Sequence, residues 1–450
     1  MLNERLQLLY FAIVFLGMLF AFLKVGLRKS SILIILIFWP GLFQYLGAEI
    51  HNIYKITVVF YALLLTGKKI FSVKNRKQQY VNLAFILFSI SFWISYFLTG
   101  GGIITILSQY LYKYGLIFIL YHYFKDITQN NIKRERLKNI LLTVIFIQIF
   151  LSIVKISFFG FGVEPIVGSM SAGGAGTAVV IPIVALIFYW LIKSRKFTKT
   201  EWVIAVLFFT ISLASGKRQP IVFFPLMLFA LFFYVQKTTT LKALIIYLPI
   251  VLLIFYAGVR LSPTLTPENK AGGSFDVSYI SDYALKYYFG VSDYDIIVNS
   301  GFDTGFGRGS GFIFFFQPQS LNLDSGTEIL FGKGRYEVAA GVHGRFTATG
   351  RSDYGIEHSG LMGEAGAMLY SFGYAGTFFM LLLAIFIIRT SVNKKIALVL
   401  LLYYLWDFLF YYNQVIYSSQ SAIIVLFIVF YVNSQAYISG SNSISKRLIR

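Results

Sequence analysis

Residues 139–158 read NILLTVIFIQIFLSIVKISF, a run whose one charge is Lys155. A helix needs roughly 20 predominantly apolar residues to cross a bilayer, whereas a barrel strand needs only about 10 of alternating character. The run has the length for the first and lacks the alternation of the second. It is therefore a membrane-crossing helix, and runs of the same kind fall near 6–23, 31–47, 53–66, 80–98, 103–124, 176–192, 202–215, 220–235, 241–258, 361–388, 396–411 and 417–433. With 57% hydrophobic and 13% charged residues, the chain lies outside the range of soluble domains, in which about a quarter of residues are charged. These numbers predict an all-α, polytopic transmembrane bundle of about 13 spans. The run at 6–23 is followed by Lys24, Arg28 and Lys29 without a small-residue cleavage site, so it reads as a retained span.

The connections sort by charge. Segments 24–30, 67–79, 125–138, 193–200, 236–242, 389–395 and the tail after 433 hold 25 of the 39 Lys and Arg. Basic residues concentrate in cytoplasmic loops, which places the amino terminus outside and the carboxyl terminus inside. The net charge of +20 is thus a topology signal, spread over short loops instead of forming one basic face, and it predicts no nucleic-acid partner. The absence of cysteine excludes disulfides, thiolate metal sites and cysteine nucleophiles.

One long segment is built for water. Val259 to His358 carries eight basic against eleven acidic residues and is expected to form a large periplasmic loop between spans 1–258 and the spans and tail of 359–450. Four of its arginines each follow a glycine, at Arg308, Arg335, Arg345 and Arg351, with Lys333, His343 and His358 nearby. A guanidinium presents a planar fork that suits phosphate oxygens, and a preceding glycine lets the backbone approach a ligand. The bland alternative is a polar loop of solvated arginines. Within the loop, Phe312–Phe316 and Tyr279–Phe289 read as segments lying in the membrane interface.

Three span entries on the outer face add to this. They are Gly168 to Gly176, Ser215-Gly216-Lys217-Arg218-Gln219-Pro220, and His358-Ser359-Gly360. Helix N-termini present unpaired N–H groups and suit anions, although close packing through small residues explains the glycine-rich entry equally well. Charges inside spans mark functional or buried polar sites by default. Here they are Lys55, Lys113, Lys155, Glu364 and Asp407. Snorkelling to the surface accounts for all but Lys113, which lies about halfway down its span and needs a polar partner or a wet cavity. The four histidines are too scattered for a metal constellation, and no Walker loop or internal repeat occurs. No cofactor is expected. The features together describe an outward-opening, cation-lined pocket suited to an amphiphile with a diphosphate head.

In these features the chain resembles the bacterial O-antigen polymerase and O-antigen ligase superfamily. Similar are the many spans, the long loop before the last few spans, Ser215-Gly216-Lys217-Arg218 between two mid-chain spans, Phe331-Gly332-Lys333-Gly334 in the loop, and His358-Ser359 leading to Gly373-Tyr374-Ala375-Gly376. Ser359 stands where that family usually has Asn. The resemblance implies an inner-membrane enzyme that transfers a glycan from an undecaprenyl-diphosphate carrier to a carrier-linked repeat unit, with a repeat-unit flippase and a chain-length regulator as partners. It implies a metal-independent glycosyltransferase in which Arg345 and Arg351 stabilise the departing diphosphate and His358, or else Asp353 or Glu357, serves the acceptor hydroxyl. Lys113, Lys155, Lys217, Arg218, Lys333 and Arg335 are the expected substrate-binding cations. A ligase of the same superfamily and an exporter of lipid-linked sugars are the alternatives.

Overall fold

A computed structural model describes residues 29–45, 48–67, 70, 76–99, 106–107, 110–159, 168–170, 203, 207, 221, 241–262, 265–270, 272–289, 315–316, 318, 323, 325–333, 363–391, 394–410 and 421–431. Among them the regular structure is all helical, with no strand. The helices are α1 (Lys29–Phe38), α2 (Pro40–Tyr45), α3 (Ala48–Thr66), α4 (Arg76–Thr99), α5 (Leu116–Thr128) and α6 (Asn131–Phe159). They continue with α7 (Leu241–Leu261), α8 (Val277–Phe289), α9 (Gly326–Phe331), α10 (Gly363–Arg389), α11 (Lys394–Phe410) and α12 (Ser421–Tyr431). Three of these, over Arg76–Leu98, Asn131–Phe158 and Glu364–Arg389, are long and apolar enough to cross a membrane. The expected spans at 6–23, 176–192, 202–215 and 220–235 lie outside the described residues, apart from positions 203, 207 and 221.

The apolar side chains divide by face. On α3, Ile53, Ile56, Phe60 and Leu64 are exposed, while Tyr54, Val58 and Ala62 are buried. On α4, Leu83, Ile86 and Ile90 are exposed, while Val81, Ala84, Phe88 and Phe92 are buried. Large aliphatic residues turned outward at helical spacing are what a helix presents to lipid, where water would reject them.

One end of the bundle is basic. Lys77 on α4 donates to the Arg389 carbonyl at the end of α10 (3.4 Å). Tyr123 of α5 donates to Ser30 of α1 (2.6 Å), and Tyr61 of α3 to the Lys29 carbonyl (3.2 Å). Arg134 of α6 lies over the Tyr431 ring of α12, 5.5 Å from its centroid. These contacts gather helix ends rich in Lys and Arg, as the sorting of the connections by charge requires.

Several expected continuous helices are broken. The run 31–47 divides at Trp39, because Pro40 has no amide to continue α1. The run 103–124 contains a π-helical turn, Tyr110–Gly115, that carries Lys113. α10 breaks at Gly373, with φ +59° and ψ −166°. Below it, α10 packs along α4 and beside α11, the layer against which the loop elements are seated.

Candidate functional site

The break in α10 is where the loop meets the bundle. α9 opens on a capping box, in which Ser325 Oγ accepts from the Glu328 amide (3.1 Å) and the Glu328 carboxylate accepts from the Ser325 amide (3.4 Å). It ends at Gly332, in a left-handed conformation with φ +73°. A Cβ on Gly332 would lie 2.4 Å from the Phe372 nitrogen, and one on Gly373 would lie 2.4 Å from the Leu330 carbonyl. Only two facing glycines allow backbones this close. The Lys333 amide then donates to the Tyr370 carbonyl (2.8 Å). The phrases Phe331-Gly332-Lys333 and Gly373-Tyr374-Ala375-Gly376, far apart in the chain, are pressed face to face.

Other groups converge on the same break. Ser95 of α4 donates to the Ser371 carbonyl (2.7 Å). The Tyr374 hydroxyl donates to the Phe315 carbonyl, and the Phe315 ring sits 6.3 Å from those of Tyr374 and Phe408. Phe315 is thus tucked against α10 and α11, whereas Phe316 is exposed, so this part of the expected interfacial run docks on protein by one face. Phe88, Phe92, Tyr114 and Phe372 form a ring cluster beneath it, with Tyr110 bonded to Ser89 (2.5 Å). The other expected interfacial segment is helical as α8, which Asp276 starts by accepting from the Ser278 and Tyr279 amides (2.8 and 3.1 Å).

Height along the bundle follows from a rise of 1.5 Å per residue. Gly373, Ser95, Asp407 and Lys113 fall roughly 20 to 28 Å along their helices from the basic end, a common level near the far face. Lys155 lies higher on α6, about 36 Å from Asn131. Snorkelling does not describe these charges: Lys155, Glu364 and Asp407 are fully buried, and Lys55 is half-buried. Lys113 is half-buried in its π turn, a distortion that often accompanies function because it swells the helix by one residue.

Lys155 belongs to a polar stripe with Gln148 and Ser152, three positions that share one face of α6 at helical spacing. The turn Gly168–Met170 is buried against it. Gln148 Oε1 accepts from the Ser169 amide and hydroxyl (2.7 and 2.9 Å), and Ser152 Oγ accepts from the Gly168 amide (3.0 Å). The Ser169 carbonyl accepts from the Gly41 amide at the start of α2 (3.0 Å). The opening residues of the glycine-rich stretch therefore enter the protein interior, where irregular backbone is tolerated only with every polar group engaged. Close packing explains Gly168, since a Cβ there would fall 2.3 Å from Gln148 Oε1.

At the far end of α7, Arg260 donates to the Gly273 and Gly272 carbonyls (2.9 and 2.8 Å) and ties them back to the helix. The Ser274 hydroxyl and amide donate to Glu268 and hold its carboxyl below the ordinary range.

Of the expected substrate-binding residues, the structure places Lys113, Lys155 and Lys333. Lys333 is drawn toward Glu328 (3.9 Å) on α9, a half-buried pair still open to solvent and contributing about 0 to 1 kcal/mol. Lys217, Arg218, Arg335, Arg345, Arg351 and His358, with the alternatives Asp353 and Glu357, lie outside the described residues. Sequence reasoning assigned Asp407 and Glu364 to the surface. The signal against that was available for Asp407, which shares the buried face of α11 with Tyr403, Tyr404 and Phe408. Compared with known proteins, the chain matches no protein family and no curated protein.

Proposed function

We propose that the protein is a polysaccharide polymerase that transfers a glycan from a polyprenyl-diphosphate carrier to a carrier-linked repeat unit at the outer face of the bacterial inner membrane, without a metal. The observation that supports this most is the seating of Lys333 on the α10 break. Segment 334–362, which bears Arg335, Arg345, Arg351 and His358, begins at Lys333, bonded to Tyr370, and ends at Gly363 of the same helix. Both ends of the arginine-bearing segment are thereby held at the far face, at the height where a lipid head group rests. Diphosphate leaves readily once its charge is held, so arginines aimed at it supply most of the catalysis and His358 takes the acceptor proton. Lys113 lies near the level of the break and Lys155 above it, and both meet the carrier phosphates.

Purified protein in liposomes with carrier-linked repeat units tests the reading. Chain growth without ATP or added metal is the expected result. Arg345→Lys and Arg351→Lys keep the charge but lose the fork, and each should reduce polymer formation by at least 10-fold at normal expression. Full activity in both would reduce these arginines to surface pairs.

A second reading has one observation in its favour, since a broken helix at membrane depth is a common feature of transporter binding sites. An exporter would move the lipid-linked sugar across the liposome bilayer with no change in its length, which the same preparation reports. A ligase would instead transfer the whole glycan to a lipid or protein acceptor and leave the repeat units unjoined.

A further inference from the structure

We propose that α9 is a detachable clip: docked, it holds α10 broken at Gly373, and released, it lets α10 close into one continuous helix. Three helical hydrogen bonds pass over Gly373, from the amides of Tyr374, Ala375 and Gly376 to the carbonyls of Tyr370, Ser371 and Phe372. The regular geometry of each depends on helical φ and ψ at Gly373, which stands instead at +59° and −166°. Two of the three carbonyls accept from groups outside α10. Tyr370 accepts from the Lys333 amide (2.8 Å) and Ser371 from Ser95 Oγ (2.7 Å). The loop, through Lys333, and α4, through Ser95, thus both hold carbonyls at the break.

The balance between the two arrangements is close. α9 has only six residues, and none of them is buried; Ile329 and Phe331 are half-buried and Leu330 is exposed. Little apolar area therefore holds it down, and segments with so few buried contacts open locally at low free energy. Release frees the Tyr370 carbonyl from Lys333 and lets Gly373 leave its left-handed conformation. Docking gains one backbone bond, the glycine-to-glycine contact and the Lys333 position. Two packings with opposed gains of similar size make a bistable element, of the kind that ligands bias. The ammonium of Lys333 travels with the clip, so the docked state brings this cation to the break and the released state withdraws it. Only that consequence rests on the functional reading above; the docking of α9 on the break does not.

Hydrogen exchange with mass spectrometry on the full chain in detergent micelles tests it, with no activity readout. In Gly373→Ala, the new Cβ would fall 2.4 Å from the Leu330 backbone, and alanine disfavours positive φ. Amides of 326–333 should exchange at least 10-fold faster than in the wild type, and those of Tyr374 to Gly376 at least 10-fold slower. Gly332→Ala alters the clip and leaves α10 untouched, with its Cβ 2.4 Å from the Phe372 nitrogen. It should give the same pair of opposite changes. If α9 is lost in Gly332→Ala while 374–376 exchange as before, the break belongs to α10 itself and the proposal fails. Faster exchange throughout α10 in both variants, or unchanged protection of 326–333, overturns it equally.

Discussion

Gly67 and Gly168 separate two reasons for glycine at a single residue. Both have positive φ, +53° and +44°, which costs a side chain about 1 kcal/mol. A Cβ on Gly67 meets nothing within 4 Å, whereas one on Gly168 falls 2.3 Å from Gln148 Oε1 and 3.0 Å from the Gln148 carbonyl. Alanine at Gly67 should therefore cost only the conformational strain. At Gly168 it should cost that strain and also separate the Ser169 amide from Gln148, adding about 1 to 3 kcal/mol for a buried donor left without its acceptor. Thermal unfolding in detergent should show a clearly larger fall for Gly168→Ala than for Gly67→Ala. Equal falls would mean that the buried turn carries no stability. Lys155 belongs to the same scale, since its charge is buried on the stripe that receives this turn.

At the scale of elements, a break in a buried helix survives only when other elements satisfy the carbonyls it exposes. α10 has two such suppliers, α9 through Lys333 and α4 through Ser95. Ser95 is fully buried, and its partner carbonyl has no water to turn to. Ser95→Ala should then destabilise by about 1 to 3 kcal/mol, while Ser95→Thr, which keeps the hydroxyl, should stay near the wild type. Melting of the alanine variant at the wild-type temperature would show that the α4 contact is dispensable and leave α9 as the sole supplier. α1 and α2 make a cheaper break, because Pro40 removes an amide and Phe38 and Gly41 both bond to Ser169.

Across the whole molecule, the basic end and the loop-bearing end face opposite ways, and only one assignment suits the proposed reaction. The absence of native cysteine makes the assignment simple to test, since any introduced thiol is the only one. Thr327→Cys on exposed α9 should react with an impermeant maleimide in intact cells, or in spheroplasts where an outer membrane blocks the reagent. Asn131→Cys, at the exposed start of α6, should react only after the membrane is opened. The reverse pattern would invert the topology and place the loop away from the carrier lipid. The exposed apolar faces of α3 and α4 make a soluble form untenable in either case.

The sequence by itself determined the class of the molecule. Uninterrupted apolar runs admit few structures other than helices in lipid, and the sorting of Lys and Arg sets the expectation for the ends, because both are additive properties of composition along the chain. It also showed which polar residues stand out of place, among them Lys113 and Lys155. It did not show how they are housed. Asp407 and Glu364 looked able to reach the surface because depth was counted along ideal straight helices, whereas burial depends on which neighbour covers each face. The breaks at Trp39 and Gly373 and the π turn at Tyr110–Gly115 interrupt runs that are apolar on average, so hydropathy carries no trace of them. Only tertiary structure decided that Gly332 meets Gly373, since a contact between two residues without side chains leaves no pattern in the sequence until both backbones are in place.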